Sequence, residues 1–356
     1  DKGLLPEFSS DVLQEVNSLQ EPVIPIPAMK VHDMRKLLWF SIDNDDSKDL
    51  DQLTHAEKLD NGRYRIRVAV ANVSYLVKQN TAIDSHAMHN TTSVYTPSEI
   101  FPMLPLKLST DLTSLNPDVD RLAVVFEGEI SNEGALGDYK IYLAYVHNYA
   151  KLAYNSLSDW LDGKIPAPSP IDNVPGMADQ IRLQDSIAKL LEIFRRKQGS
   201  LSLETIEPQA IVSNGVVVDL KAMPITRTRK LIENFMIVAN TISAKYSEKH
   251  EIPQLRRVVV VPKRWDKIVA VAAERGAQLP ADPNALALEN FLVNQKEANP
   301  LTYPDLSLTI IKLLGNGEYR VAIPGKATPG HFGLALRDYT HSTAPNRRYP
   351  DLITQR

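Results

Sequence analysis

Five aspartates lie between residues 43 and 51, in the segment SIDNDDSKDLDQL, and Lys48 is the only cation among them. Carboxylates at this density repel one another unless a positive group lies between them. Oxygen ligands without cysteine or paired histidine favour Mg²⁺ or Mn²⁺ over Zn²⁺, and one or two such ions can activate water for hydrolysis at phosphorus. A solvated acidic turn and a structural Ca²⁺ loop are the alternatives, although the spacing does not fit an EF-hand.

The spacing of these aspartates indicates which could act together. Asp49 and Asp51 flank Leu50, so in an extended chain their side chains point the same way while Leu50 points into the fold. Asp43 lies six residues before Asp49 and needs a loop to return to it. The spacing by itself therefore predicts a cluster without deciding between a metal centre and an acidic surface.

The elements around the cluster are predicted from local patterns. The apolar run LLWFSI before it reads as a strand, and Asp60-Asn61-Gly62 after it predicts a hairpin turn. The alternation after that turn, with apolar residues at 64, 66, 68 and 70, predicts a half-buried strand. Later patterns predict hairpins at 121–148 and 211–223 (around Asn214-Gly215), a loop at 160–176, helices at 176–198 and 231–246, a strand at 256–263, and a helix followed by a strand in 306–323.

Composition limits the class of protein. The chain has 356 residues, 43% hydrophobic and 23% charged, with no cysteine and a net charge of −3. Disulfides, thiolate metal sites and cysteine nucleophiles are thereby excluded, and no apolar run is long enough to span a membrane. Basic clusters such as Arg195-Arg196-Lys197 are expected to be solvated surface. We expect a protein of a reducing cytoplasm that does not bind membranes, and its start shows neither a signal peptide nor an initiator Met.

The predicted elements sum to an α+β fold on a mixed or antiparallel sheet, in one large domain. Residues 41–356 are expected to form that domain. Residues 1–40 read as an entry segment, with a short helix capped by Ser9 or Ser10 and a Pro-rich linker. The pair His86 and His89 could ligate a metal, but we expect both on a helix surface.

Six ordered blocks give the chain a family resemblance. SIDNDDSKDLDQL resembles the ribonuclease II family signature T-I-D-x-x-x-x-x-D-x-D-D, and AVANVSYLV resembles I-A-D-V-S-x-x-V. TTSVYTPSEIFPMLPLKLSTDLTSLNPDVDRLA is similar to a block containing T-S-V-Y-x-P, L-C-S-L-x-P and D-R-L-A. AKLAYNSLSDWL and LIENFMIVAN match later blocks, and HSTAPNRRYPDL resembles H-F-T-S-P-I-R-R-Y-x-D-L. The resemblance runs from about residue 40 to the end of the chain.

This resemblance implies a catalytic domain folded around a single-strand channel, and a Mg²⁺-dependent 3′→5′ exoribonuclease (Mn²⁺ being an alternative) that releases nucleoside 5′-monophosphates from the 3′ end of single-stranded RNA. Asp43, Asp49, Asp51 and Gln52 occupy the four metal-binding positions, and Asp51 and Arg347 the catalytic ones. The implied RNA-binding positions are Tyr95, Leu203, Glu233, Arg347 and Arg348. Asp45 and Asp46 fall outside this register and are expected to be bystanders.

The chain also departs from the family pattern. Gln52 stands at the fourth aspartate and brings no charge, and Asn72 stands at the aspartate of A-D-V-S. Leu203 aligns with a phenylalanine that completes a base sandwich in some members. In the arginine motif, Ser342, Ala344 and Asn346 replace Phe, Ser and Ile. Neither cold-shock domains nor an S1 domain is recognisable, and the chain is expected to be truncated at its C-terminus.

These departures leave three hypotheses open. The chain could be an active exoribonuclease, an RNA-binding protein that has lost the chemistry, or a metal-dependent hydrolase of a smaller substrate on the same fold. Gln52 and Asn72 favour the second hypothesis. Leucine in place of a base-stacking phenylalanine, together with the missing RNA-binding domains, favours the third. Protein partners and oligomeric state are not indicated by any pattern.

Overall fold

The structure is a computed structural model that describes residues 3–22, 30–96, 99–204, 207–213, 216–223 and 225–356. The strands are β1 (His32–Asp33), β2 (Trp39–Asp43), β3 (Gln52–Lys58), β4 (Tyr64–Ala71), β5 (Val94–Tyr95), β6 (Ile100–Phe101), β7 (Asp120–Ile130), β8 (Leu136–Ala153), β9 (Glu207–Ser213), β10 (Val216–Met223), β11 (Gln254–Val258) and β12 (Glu318–Ala322). The α-helices are α1 (Ser10–Ser18), α2 (Val73–Leu76), α3 (Ala82–Asn90), α4 (Tyr154–Leu161), α5 (Ser169–Asp172), α6 (Met177–Lys197), α7 (Arg227–Lys249), α8 (Trp265–Ala273), α9 (Ala285–Ala298), α10 (Tyr303–Leu314) and α11 (Tyr349–Gln355). A π-helix spans Lys107–Leu112 and a 3-10 turn spans Phe332–Leu334.

A mixed sheet of six strands, in the order β1-β8-β2-β3-β4-β7, is the centre of the fold. The long strand β8 pairs in parallel with β1 and β2 and antiparallel with β7, so the strands close into a ring. Because β2 and β3 run antiparallel, the end of β2 lies at the same edge as the start of β3. This register brings Asp43, the last residue of β2, to the edge where Asp51 enters β3.

Apolar side chains cover both faces of this sheet. One face packs against α4, α6 and α7 in a cluster that includes Phe40, Phe126 and Phe235. The other face packs against α1 and α3 in a cluster that includes Trp39 and Leu53. Each such side chain contributes about 1.5–3 kcal/mol when it is fully buried. The sheet is therefore held on both sides, and the strand ends that carry the acidic residues are fixed by it.

Most predicted elements are confirmed. The α+β class and the mixed sheet are as expected, α1 begins after the cap residue Ser9, and the hairpins β3–β4, β7–β8 and β9–β10 form. The predicted turn at Asn214-Gly215 lies outside the described residues, as does most of the Pro-rich linker. The predicted loop at 160–176 contains the end of α4 and the short helix α5.

Three local predictions were wrong. From residue 66 onward β4 is buried on both faces. On the side predicted to be solvated, Arg67 ion-pairs with Glu57 and Glu127, and Ala69 and Ala71 pack in the cluster that includes Trp39. The strand predicted at 256–263 ends at Val258, and Pro262 lacks the amide that would continue a ladder. His86 is buried, with its ring centroid 4.5 Å from that of Phe8, whereas His89 is exposed as expected.

No helix in the described ranges is both long enough and apolar enough to cross a bilayer.

Candidate active site at the edge where β2 ends and β3 begins

Asp43 is held in place by its own loop. Its Oδ1 accepts hydrogen bonds from the amide of Asn44 and from Oγ of Ser47, both at 2.8 Å. Burial raises the pKa of Asp43 against the opposing effect of these hydrogen bonds. The loop itself is tied to the sheet by Lys151, whose Nζ donates to the carbonyl oxygens of Asp45 and Ser47. Lys151 lies on β8, so these bonds fix loop 44–47 at the edge where β2 ends.

Asp51 lies in the most enclosed position of the site, with 2% of its surface exposed. Its Oδ2 accepts a hydrogen bond from Nε of Arg347 at 2.8 Å. Its Oδ1 is buried and has no hydrogen-bond partner among the described residues. Burial raises the pKa of Asp51 to about 6, although the charge of Arg347 acts to lower it. A buried carboxylate oxygen without a partner is costly, and a cation could supply the partner that this atom lacks among the described residues.

Asp49 links the acidic residues to an aromatic side chain. The hydroxyl of Tyr95 donates to Asp49 Oδ2 at 2.8 Å, and about half of the Tyr95 surface is exposed. Burial and the neighbouring charge of Asp49 raise the pKa of Tyr95. The phenol therefore stays protonated at neutral pH and acts as a donor. Its ring is left accessible beside the acidic cluster, where a base could stack on it.

Gln52 is the first residue of β3 and lies opposite Val70 in the ladder. Cross-strand neighbours share one face of a sheet, and Val70 packs in the cluster against α6 and α7. The next residue, Leu53, packs in the cluster on the other face. A carboxamide at position 52 could offer a cation a neutral oxygen but no charge.

The remaining acidic residues of the segment stay outside the cluster. The side chains of Asp45 and Asp46 are exposed, as expected for bystanders.

The suitability of these side chains as cation ligands depends on their donor atoms and on their placement. No group of three or more acidic, histidine or cysteine side chains is placed to hold a metal within the ranges that the structure describes. The donor types nevertheless fit a hard divalent ion, since carboxylate oxygens are its preferred ligands and Asp51 Oδ1 has no described hydrogen-bond partner. Asp43 accepts its hydrogen bonds on Oδ1 and Asp49 accepts on Oδ2. The second oxygen of each accepts no described hydrogen bond. By donor type, the three carboxylates suit one cation.

Two of the other predicted residues lie at a separate cavity. Leu203 and Glu233 line a space of about 80 Å³ between α6, α7 and the segment that follows α6. Arg195 lies in the same wall, where its Nη2 donates to Asn234 Oδ1 at 2.7 Å. Burial lowers the pKa of Arg195. The expectation that the cluster at 195–197 is wholly solvated was therefore wrong for Arg195.

Helical spacing could have identified Arg195. It continues the series Gln184, Ala188 and Leu191 on the buried face of α6, at intervals of four, three and four residues.

Arg348 is occupied elsewhere. Its Nη2 donates to Oδ2 of the fully buried Asp351 at 2.7 Å, while its neighbour Arg347 contacts Asp51.

Sequence reasoning also missed Arg229. Its Nη2 donates to Asn44 Oδ1 at 3.3 Å, and its guanidinium lies 5.1 Å from the Tyr154 ring centroid. These contacts place a second arginine at the rim of the acidic loop.

The chain is similar in sequence to a protein family and to curated relatives. The RNB domain family matches residues 31–356. Ribonuclease R of Escherichia coli is 34% identical over 348 residues, covering 97% of this chain and 42% of that protein. Ribonuclease R 1 of Lactococcus lactis is 31% identical over 360 residues, covering 99% of this chain and 43% of that protein.

Among solved structures, Mycoplasma genitalium RNase R in complex with ribose-methylated single-stranded RNA superposes with a TM-score of 0.90 at 25% identity. The superposition covers 100% of this chain and 55% of the Mycoplasma genitalium chain. The chain spans about half the length of the curated relatives that it matches. With the family match extending over nearly the whole chain, this protein belongs to the RNB domain family.

Proposed function

We propose that this chain is the hydrolytic domain of a 3′→5′ exoribonuclease that acts on single-stranded RNA with the help of Mg²⁺ or Mn²⁺. The observation that carries the proposal is the enclosed Asp51 carboxylate, with one oxygen on Arg347 and the other without a hydrogen-bond partner among the described residues. This arrangement places the Arg347 guanidinium beside a carboxylate oxygen that could bind a cation. The likeness to proteins named ribonuclease R, one of them solved with RNA, supports an RNA substrate.

The side chains of this chain would divide the work by chemistry. Arg347 would neutralise charge that develops on the oxygens of the scissile phosphate. Tyr95 would stack on a base of the 3′ end without preference for its identity. Asp43, Asp49 and Asp51 would hold the cation, which supplies water activation and charge neutralisation when it is bound. Burial of Asp51 excludes bulk water from one side of that position.

A labelled-RNA assay tests the proposal. Single-stranded RNA labelled at its 5′ end is incubated with the chain in Mg²⁺, in Mn²⁺ and in EDTA. We expect stepwise shortening from the 3′ end with either ion, release of nucleoside 5′-monophosphates and no shortening in EDTA. The absence of shortening with both ions, in protein that is folded by circular dichroism, would refute the proposal.

A second candidate is an RNA-binding domain that no longer hydrolyses RNA. It is favoured by Gln52 at the fourth aspartate position, and by the absence of a converged set of three acidic side chains within the described ranges. Filter binding of the same RNA separates the two candidates. Binding without shortening supports the second candidate, and shortening that stops in Asp51→Asn excludes it.

A further inference from the structure

The segment that follows the π-helix is attached to the acidic loop. Ser114 is fully buried, and its Oγ accepts from the amide of Leu50 at 3.0 Å and donates to the carbonyl of Lys48 at 2.8 Å. The amide of Leu115 donates to the carbonyl of Leu50 at 2.9 Å. These contacts hold the backbone on both sides of Asp49.

The residue before Ser114 is attached to the arginine loop, residues 344–348. Thr113 Oγ1 lies 2.6 Å from Asn346 Oδ1, and both side chains are buried. Thr113 Oγ1 also lies 2.9 Å from the carbonyl oxygen of Leu108. A hydroxyl carries one proton, so it donates to one acceptor at a time. Asn346 Nδ2 has no hydrogen-bond partner within the described ranges. Turning the Asn346 amide would let Nδ2 donate to Thr113 Oγ1 while the hydroxyl donates to the Leu108 carbonyl. Either orientation joins the two side chains.

Both partners are departures from the family pattern. Thr113 stands at the Cys of L-C-S-L-x-P, and Asn346 stands at the Ile of H-F-T-S-P-I-R-R. Asn346 introduced alone would bury an amide with no partner among the described residues, which is unfavourable. Thr113 introduced alone would still have the Leu108 carbonyl as an acceptor. The Thr113 hydroxyl is therefore the partner that the buried Asn346 needs, and the two substitutions form one contact at the junction of two loops.

The ion pair between Asp51 and Arg347 also connects these loops, but it acts differently. The Arg347 side chain is long and partly exposed, with 41% of its surface accessible, so its guanidinium can turn without moving the backbone. Asn346 is almost completely buried and directly precedes Arg347. Its contact with Thr113 therefore restrains the backbone from which Arg347 projects.

We propose that Thr113 and Asn346 are positioning residues, whose buried hydrogen bond sets the arginine loop against the acidic loop that Ser114 holds. The kinetic part of this inference rests on the proposed RNA hydrolysis, whereas the structural part does not. Neither residue contacts Asp51 in a described hydrogen bond, so their effect on the reaction would be transmitted through Arg347.

A double-mutant cycle tests the pair. Thr113→Cys, Asn346→Ile and the double variant are compared with the unaltered full chain in reducing buffer. Thr241→Val serves as a matched control, because the Thr241 hydroxyl donates to a carbonyl of its own helix, α7, at 2.8 Å. Hydrogen exchange is measured by mass spectrometry for peptides that cover residues 46–52 and 344–349.

We expect either single substitution to raise exchange in both peptides by about tenfold or more, since local opening is easier. The double variant should return toward the unaltered chain, because it recreates the Cys and Ile of the family pattern. On RNA we expect kcat to fall by about tenfold or more in each single variant, with unchanged RNA affinity. Thr241→Val should leave exchange in both peptides unchanged.

Additive effects in the double variant would overturn the inference, as would single variants whose loops exchange like those of Thr241→Val. If the unaltered chain does not shorten RNA, the proposed function fails. The exchange data still decide whether Thr113 and Asn346 act as a pair. A lowered RNA affinity with unchanged kcat would also contradict positioning through Arg347.

Discussion

Asp51 and Arg347 lie 296 positions apart in the chain and form an ion pair, with Arg347 Nε 2.8 Å from Asp51 Oδ2. The carboxylate is enclosed and the guanidinium reaches it from the partly exposed side. Because the other carboxylate oxygen has no partner in the part of the chain that the structure describes, the pair leaves one anionic contact available inside the site. The predictions for the acidic cluster depend on this relationship.

Asp51→Asn should stop RNA shortening without unfolding the chain. The amide keeps the shape of the side chain and removes a charge whose burial is unfavourable. Arg347 is partly exposed, so water can solvate it after its partner is lost. We expect the shortening rate to fall by about 10²–10³-fold or more, with the urea midpoint unchanged or higher. Asp46→Asn, which alters an exposed carboxylate of the same loop, should have neither effect. An equal loss of rate in both variants would contradict the assignment.

Gln52→Asp should tighten the binding of Mn²⁺. The substitution restores the fourth negative charge at the start of β3, in a partly buried position where charges interact more strongly than in water. Titration calorimetry is expected to show a dissociation constant lower by about tenfold or more, equivalent to about 1.4 kcal/mol. Asn61→Asp adds the same charge in an exposed turn and should not change the affinity. An unchanged affinity in Gln52→Asp would mean that this position does not face the cation.

Tyr95→Phe and Tyr95→Ala should affect RNA binding differently. Phenylalanine keeps the accessible ring and removes only the hydrogen bond to Asp49, whereas alanine removes both. The alanine variant should lose about 1–3 kcal/mol of RNA affinity, as is typical of a lost stacking face, and the phenylalanine variant should lose little. Fluorescence anisotropy with a short labelled RNA measures both. Equal losses would mean that the hydroxyl, rather than the ring, carries the contact.

Acidification from pH 7 to pH 5 should destabilise the fold through His55. Burial beside Arg67 lowers the pKa of His55 from its usual value near 6.5 to about 4. Between these values the unfolded chain binds the proton and the folded chain does not, so stability falls as pH falls. This linkage lowers the free energy of unfolding by about 2 kcal/mol between pH 7 and pH 5. Urea unfolding of His55→Gln should show a weaker dependence on pH, and His89→Gln, altered at an exposed ring, should keep that of the unaltered chain. A His55→Gln variant with the full dependence would refute this origin.

Arg121→Met should cost far more stability than Glu21→Gln. Arg121 is buried and donates from Nε to the carbonyl of Ser114 and from Nη2 to that of Asp111, besides its ion pair with Glu21. Its removal leaves the carbonyl of the fully buried Ser114 without its described donor, at roughly 2–4 kcal/mol in the free energy of unfolding. Glu21 is largely exposed, so its loss should cost roughly 0–1 kcal/mol. Equal losses in urea unfolding would contradict this division.

Local patterns predicted the parts of the site that depend on neighbouring residues. The alternation around Leu50 placed that side chain in the core, and the strand before the acidic segment forms as β2. The same reasoning failed for His86, because the buried contact comes from Phe8 in the N-terminal segment. It failed for Arg67 because carboxylates on neighbouring strands pair with it. Periodicity describes which face of an element a residue occupies, but not what packs against that face.

The sequence by itself determined the fold class, the strands and helices around the acidic cluster, and the family. These follow from periodicity, turn residues and the order of motifs, all of which are local or linear properties. Only the tertiary structure decided that Tyr95 donates to Asp49, that Thr113 meets Asn346 and that Arg347 pairs with one oxygen of Asp51. These contacts join residues 46, 233 and 296 positions apart. Their geometry depends on how the sheet closes and how the loops pack across its edge, which no local pattern encodes.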